Sequence, residues 1–250
     1  MKIILCGCLG RMGTAVTDLV AETFETEIVL GTDRRQPKQP RTYPVQEHLT
    51  DYAADVLICY VPPIATISTD IIDYCVAKKM PAVICTTAVS KNFSDAMEEA
   101  AKTIPIFYSA NMSFGVTVFN KMLEDYSALL YKAGFDIELV EKHHNKKMDA
   151  PSGTAVKLLE TIHKATPELN IVSDRTNQKA ERTRKEIGVH TIRGGSIVGE
   201  HSVIFAGKQE TIEISHSAIS REVFAEGTLR AARFVIDKPP GIYEMKDLIV

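Results

Sequence analysis

The feature that most restricts the fold is the switching of hydrophobic period along residues 1–110. Lys2-Ile3-Ile4-Leu5-Cys6 is an unbroken apolar run, the pattern of a strand buried on both faces. A glycine loop interrupts it, and Met12, Val16, Leu19 and Val20 then recur at helical spacing. Glu27 to Gly31, Val56 to Val61, Ala82 to Cys85 and Ile104 to Tyr108 read as further strands. Between them, Asp33 to Pro44 reads as loop, Pro62-Pro63 stops the third strand, and Ile64 to Lys79 and Ser94 to Lys102 read as helices. Strand alternating with helix in this way predicts a parallel, doubly wound sheet.

Beyond Met112 the pattern changes. Val116 to Tyr131 reads as a helix, and Asp136 to Glu141 as a strand running into His143-His144. Ala155, Leu158, Leu159 and Ile162 mark a helix opening near Pro151-Ser152. After a charged segment, Asp174 to Glu186, come Val189 to Arg193, Ser196 to Ala206 and Glu210 to Ser217, strand-like runs with no helix between them. Such a block predicts a second, α+β domain whose mixed or antiparallel sheet has an apolar face and open edges. Val223 to Ile236 is helical again, but periodicity does not say where it packs.

Composition narrows the function. Lys and Arg number 29 against 32 Asp and Glu, a net charge of −3, so there is no electrostatic case for a nucleic-acid partner. No apolar run approaches the ~20 residues that span a bilayer, and no membrane partner is expected. Met1-Lys2 leads straight into the first strand, without room for a signal peptide, so a cytoplasmic location is expected. Cys6, Cys8, Cys59, Cys75 and Cys85 form no C-x-x-C pair and read as buried, reduced thiols.

Two constellations carry chemistry, and a third is ambiguous. Gly7-Cys8-Leu9-Gly10-Arg11-Met12-Gly13 follows the first strand and opens a helix, where glycines let backbone N–H groups approach a pyrophosphate. Its G-x-x-G-x-x-G spacing departs from the usual G-x-G-x-x-G, but Asp33, at the end of the second strand, sits where an acid accepts from a ribose hydroxyl. The second is the run from Glu141 to Ala155. Adjacent His143 and His144 at a strand end point to opposite faces, Lys147 adds a cation, and Ser152-Gly153-Thr154 opens a helix whose N–H groups suit an anion. Together they describe a site for a small acid that needs protonation. The third cluster is Arg193-Gly194-Gly195, which reads equally as a carboxylate-binding guanidinium or as a hairpin turn. His190, His201 and His216 lack metal-ligand spacing and read as structural or surface residues, so no metal is assigned, and His48 and His163 carry no pattern.

These residues closely resemble the dihydrodipicolinate reductase family. The resemblance covers nearly the whole chain. It rests on the glycine loop, Cys85-Thr86-Thr87, Ser109-Ala110-Asn111-Met112-Ser113-Phe114-Gly115, the E-x-H-H-x-x-K-x-D-A-P-S-G-T-A run from Glu141 to Ala155, and Ile192-Arg193-Gly194-Gly195 with Gly199-Glu200-His201. It implies a Rossmann-type dinucleotide-binding domain, residues 1–112 and 222–250, and a substrate-binding and oligomerisation domain, residues 113–221, that builds a homotetramer. The implied activity is NADH- or NADPH-dependent reduction of a cyclic dicarboxylate, 4-hydroxy-tetrahydrodipicolinate, with loss of water. By position His143 would be the proton donor and Lys147 a second one, with His144, Ser152, Gly153, Thr154 and Arg193 on the substrate. Gly7, Cys8, Leu9, Gly10, Arg11, Met12, Asp33, Arg34, Cys85, Thr86, Thr87, Ser109, Ala110, Asn111 and Met112 would hold the cofactor. The chain departs from the family at Cys85, Ala88 and Met112, all on the nicotinamide side. A catalytically silent dinucleotide sensor and a histidine-liganded metal hydrolase are the alternative classes.

Overall fold

The computed structural model describes residues 1–61, 69–87, 89–173, 175–176 and 178–249, in two compact units. The part of the expected helix from Ile64 to Ser68, the Pro62-Pro63 stop, and Ala88 and Asp174 lie outside the described residues. One unit comprises Met1–Phe114 with Arg221–Val250, the other Gly115–Ser220.

The first unit is a seven-stranded parallel sheet. Its chain order is β1 (Lys2–Cys6), α1 (Arg11–Ala21), β2 (Glu27–Thr32), β3 (Val45–Gln46), β4 (Val56–Cys59), α2 (Asp70–Lys78), β5 (Ala82–Ile84), α3 (Lys91–Ala100) and β6 (Pro105–Tyr108). After the second unit the chain returns with α6 (Glu222–Ile236), β12 (Gly241–Tyr243) and a 3-10 turn at Met245–Leu248. The spatial order β12-β6-β5-β4-β1-β2-β3 is doubly wound. β1, β4 and β5 are wholly or almost wholly buried because apolar clusters cover both faces of the sheet, which is why their sequences are continuous apolar runs rather than alternations. β3 and β12 were not expected. Each is an edge strand of two or three residues, too short to carry a period.

The helix that periodicity could not place, α6, packs in this first unit. Ala225, Leu229, Ala231, Ala232 and Val235 join the core formed by Ile3, Leu5, Val83 and Phe107. Gly227 permits its closest approach, since a Cβ there would stand 1.7 Å from the Met112 carbonyl oxygen. Thr228, fully buried, bonds the Phe224 carbonyl and meets the Tyr60 hydroxyl.

The second unit holds α4 (Phe114–Lys132, whose first residue belongs to the first unit), β7 (Asp136–His143), α5 (Gly153–Ala165), β8 (Asn170–Val172), β9 (Glu186–Arg193), β10 (Gly199–Ala206) and β11 (Thr211–Ala218). Their sheet, in the order β11-β10-β7-β9-β8, is mixed: β7, β8 and β9 run parallel, and β10 and β11 antiparallel to their neighbours. One face carries Ile137, Leu139, Ile187, Val189, Val203 and Phe205 against Phe119 and Leu123 of α4 and Leu158 and Ile162 of α5. The expectation of an apolar open face is corrected. That face mixes Val140, Ile192 and Ile204 with the Lys142–Glu200 and His190–Glu138 ion pairs and a Ser202–Ser215–Glu213 chain. The alternation of β7 explains it: its core-facing residues are apolar up to Leu139, while the opposite register holds Asp136, Glu138 and Lys142.

Candidate active site

In the first unit, the carboxyl ends of β1, β2, β4, β5 and β6 lie side by side, the edge at which doubly wound sheets bind nucleotides. Gly7 leaves β1 with φ +80°, a left-handed conformation, and a Cβ there would stand 3.1 Å from the Tyr60 carbonyl group. Gly13 is forced more severely, because a Cβ would lie 2.3 Å from the Gly7 carbonyl oxygen. Gly10 caps α1 without a side-chain bond, and Arg11 is exposed at the helix start. Asp33 is tied to this loop: its carboxylate accepts from the Leu9 N–H at 3.1 Å. The same carboxylate binds the Arg35 side chain through Nε and Nη2, each at 2.9 Å. That side-chain bond, with the backbone N–H groups of Arg35 and Leu9, holds the Asp33 carboxyl below its ordinary range. Arg34, named from the sequence, is exposed. The partner of Asp33 is its neighbour Arg35.

The remaining residues expected at the cofactor lie on the same edge. Cys85 continues β5 through a bond from its N–H to the Cys59 carbonyl, and Ser109 continues β6 through one to the Ile84 carbonyl. Ser109 and Asn111 fold the chain back, with the Ser109 hydroxyl on the Asn111 carbonyl and the Asn111 side chain accepting from the Ser113 N–H. Thr87 and Ala110 are exposed, whereas Thr86 and Met112 are buried. Cys85 is buried beside Thr228, and burial pushes its thiol up to about 12. All five cysteines are buried and unpaired.

The second unit gathers a different set. Period-two alternation places Glu141 and His143 on the core-facing side of β7, in line with Ile137 and Leu139. Register then sets His201 of β10 opposite Glu141, and Arg193 of β9 opposite His143. Glu141 is fully buried. Arg193 grips both of its oxygens, at 2.9 and 2.8 Å, and His143 Nδ1 lies 2.5 Å from Oε2. The backbone N–H of Ser152 donates to Oε1 at 3.2 Å. Ser152 caps α5, its hydroxyl accepting from the Ala155 N–H, and also meets His201 Nε2 at 3.0 Å. His143 and His201 pack edge to face, with ring centroids 5.1 Å apart. Gly153 begins α5 exposed, with open space where a Cβ would stand. His144 and Lys147 lie on the turn after β7, Lys147 in an ion pair with Asp149 at 2.9 Å.

Of the residues expected on a substrate, the structure therefore brings His143, Ser152 and Arg193 into one hydrogen-bonded cluster and leaves Gly153 open at the helix start. Arg193 is committed to Glu141 and to the Asp149 carbonyl. Gly195, at φ +50°, and Ser196 do form a turn, but β9 and β10 lie on either side of β7 and do not pair, so the hairpin reading is corrected. Arg193 is inward because it shares the core-facing register of β9 opposite His143, and the carboxylate it binds is Glu141. Glu141 and His201 were missed as site residues. The signal for Glu141 was an acid in the core-facing register of an otherwise apolar strand. For His201 it was the Gly199-Glu200-His201 run that carries part of the resemblance, though only the strand pairing sets it beside Glu141. Donor atoms of Glu141, His143 and His201 lie within 4.8 Å of one another. With a guanidinium on both Glu141 oxygens, however, they form an ion-paired cluster rather than a cation cradle.

Burial sets the charges here. It disfavours ionisation of Glu141, but the hydrogen bonds from Arg193 and His143 outweigh it and hold the carboxyl below its ordinary range. Burial lowers the His143 pKa, the nearby charges of Lys147 and Arg193 lower it further, and Glu141 opposes them. His201 is lowered to about 4, chiefly by burial and then by His143.

A depressed histidine pKa means that the unfolded chain takes up a proton the fold refuses. Stability is then full above the unfolded value and is lost as the pH falls from about 6.5 toward 4. The full effect of His201 is about 3 kcal/mol, since one unit is worth ~1.4 kcal/mol. Urea unfolding between pH 7 and 4 is expected to show this decline, and His201→Asn to flatten it by a comparable amount. An unchanged slope in the variant would show that the ring is not held neutral.

Comparison with known proteins agrees with this architecture. The family model described as dihydrodipicolinate reductase, N-terminus, matches residues 1–112, and that described as dihydrodipicolinate reductase, C-terminus, matches residues 115–249. The 4-hydroxy-tetrahydrodipicolinate reductase of Clostridium tetani is 48% identical, over 98% of this chain and 95% of its own. That of Caldanaerobacter subterraneus is 44% identical, over 100% and 98%. Among solved structures, a dipicolinate-bound dihydrodipicolinate reductase from Paenisporosarcina shares the fold, with a TM-score of 0.79 at 20% identity, covering 100% of this chain and 99% of that one. With both halves matched in order, and relatives aligned nearly end to end, the chain belongs to the dihydrodipicolinate reductase family of oxidoreductases.

Proposed function

We propose that this chain reduces 4-hydroxy-tetrahydrodipicolinate, the compound in the names of its relatives, to tetrahydrodipicolinate with loss of water. The observation that carries the reading is the buried Glu141–His143–Arg193 cluster beside the open N-terminus of α5, in a chain of this family. Within that family a catalytically silent sensor would have no use for a buried, ion-paired histidine.

The residues at the carboxyl edge of the first sheet fit a nicotinamide dinucleotide. Gly7 and Gly10 let the loop fold tightly against Tyr60 and onto itself at the start of α1, whose N-terminal N–H groups suit a pyrophosphate. Asp33 would take a ribose, and Thr86, Thr87 and Ser109 to Met112 belong to the same edge. The bound dinucleotide supplies hydride. The second unit's residues do the rest. A dicarboxylate needs at least two anion sites, and the N–H groups opening α5 at Gly153 and Thr154, with Lys147 and His144, supply them. His143 gives the substrate a proton as negative charge develops there, and Lys147 stands as the second donor. With its pKa depressed, His143 is mostly neutral before the dianion arrives; the dianion raises its proton affinity where the proton is used.

His143→Gln is expected to lower kcat about 10²–10⁴-fold while leaving cofactor affinity unchanged. Lys147→Ala should damage both kcat and the substrate KM. Following NADH oxidation with the substrate tests both variants and the activity itself, and near wild-type turnover by His143→Gln would exclude its role.

Cofactor choice turns on Asp33. Its carboxylate favours the free ribose hydroxyls of NADH, whereas Arg34 and Arg35 attract the 2′-phosphate of NADPH. The Arg35 side chain is 63% exposed, while that of Asp33 is 8% exposed and keeps a second donor in the Leu9 N–H. With the guanidinium in solvent, the pair gains little beyond the ~1 kcal/mol of a surface pair. Arg35 can therefore leave Asp33 for a phosphate at little cost, and kcat/KM for the two cofactors is expected to agree within roughly tenfold. Asp33→Ala should hurt NADH more, and Arg34→Ala or Arg35→Ala should hurt NADPH more. A hundredfold wild-type preference would contradict dual use.

The enzyme would work as a homotetramer in the cytoplasm, a compartment that keeps unpaired thiols such as these five reduced. Support for the tetramer is the uncovered face and edge of the second sheet, where Ile192 is 45% exposed. Sedimentation of the intact protein at micromolar concentration is expected to give four chains; a stable monomer would refute it.

A further inference from the structure

Protonation by His143 leaves one question of chemistry open: which ring nitrogen exchanges the proton, and what fixes that choice. The surroundings of Glu141 answer it. Oε1 accepts from the Ser152 N–H and from Arg193 Nη2, and Oε2 faces Arg193 Nη1 and His143 Nδ1. An ionised carboxylate can only accept. His143 Nδ1 therefore carries hydrogen, and in the neutral ring Nε2 is bare. Gly199 lies against that second nitrogen: a Cβ there would stand 3.1 Å from Nε2, so the glycine leaves it room.

We infer that Glu141 is a positioning residue for the proton transfer. Held by Arg193 and the Ser152 amide, it fixes the His143 tautomer and makes Nε2 the atom that exchanges the proton with substrate. Arg193 then serves this carboxylate and not a carboxylate of the substrate. The inference rests on His143 being the proton donor. The charged and titratable groups facing the His143 ring are Glu141 on its own strand, Arg193 from β9, His201 from β10, and Lys147, paired with Asp149, from the following turn. Of these, only Glu141 is bonded to Nδ1 and can set the tautomer.

Glu141→Gln is the direct probe. Whichever way the amide turns, its NH2 meets two N–H donors, so either His143 loses its acceptor or Ser152 and Arg193 lose theirs. In the full chain, with 15N-labelled histidine and His143 assigned by its loss in His143→Gln, the neutral wild-type ring is expected to carry hydrogen on Nδ1. In Glu141→Gln that preference should weaken or reverse, and kcat should fall about 10²–10³-fold, with substrate KM and NADPH affinity within roughly threefold of wild type. Arg193→Lys should likewise lower kcat while sparing KM.

A wild-type ring with hydrogen on Nε2 would overturn the inference. So would Arg193→Lys raising the substrate KM about thirtyfold at unchanged kcat, the signature of a substrate clamp. Should Glu141→Gln not fold, the wild-type spectrum and Arg193→Lys still decide. Undiminished turnover by His143→Gln would instead sink the proton-donor reading, an outcome the tautomer measurement keeps separate.

Discussion

Glu141 is a carboxylate with no solvent exposure, and removing such a charge from water costs several kcal/mol unless its lone pairs are matched by donors and a counter-charge. Four donors meet it: two from Arg193, one from His143 and one from the Ser152 backbone. They come from β9, β7 and the start of α5. Solvating one charge therefore fixes three elements relative to one another. Two local features meet that need: the register of β9 against β7 puts the Arg193 guanidinium on the inner face, and the cap leaves the Ser152 amide pointing at the acid.

The first unit is governed by close backbone approach rather than by charge. Gly13 lets α1 leave the glycine loop at van der Waals distance, and Gly227 does the same for α6 against the Met112 carbonyl. An added Cβ at either position would collide with backbone atoms, which cannot move aside as a side chain can. This brings the buried Ala231-Ala232 side of α6 against the sheet and completes its cover with a segment from the far end of the chain.

The two arginine–carboxylate pairs look alike and differ in consequence. Arg35 holds Asp33 from solvent, and although the Asp33 side chain is only 8% exposed it keeps the Leu9 N–H, so the guanidinium can be exchanged when a phosphate competes. The Arg193 side chain is only 19% exposed and its acid is fully buried. Removing such a partner typically costs about 3–5 kcal/mol. A rim pair of the first kind can tune specificity, whereas a buried pair of the second kind builds a fixed environment.

Much of this was legible in the amino-acid order. Apolar runs alternating with 3.6-residue periodicity specify the doubly wound sheet, because strands covered on both faces must be apolar throughout. The G-x-x-G-x-x-G loop and the long run from Glu141 to Ala155 specify the family and the histidine. Short edge strands at Val45–Gln46 and Gly241–Tyr243 were not legible, since two or three residues hold no period. Nor were the partners of Arg193 and Asp33. Arg193 lies 52 residues from Glu141, and only the register of β9 against β7 decides that its guanidinium meets a carboxylate within the fold. Arg34 and Arg35 are equivalent as neighbours of Asp33 in the sequence, and the path of the chain after β2 selects Arg35. Sequence determines which residues share a strand face; strand pairing, a long-range choice, decides which faces' charges meet.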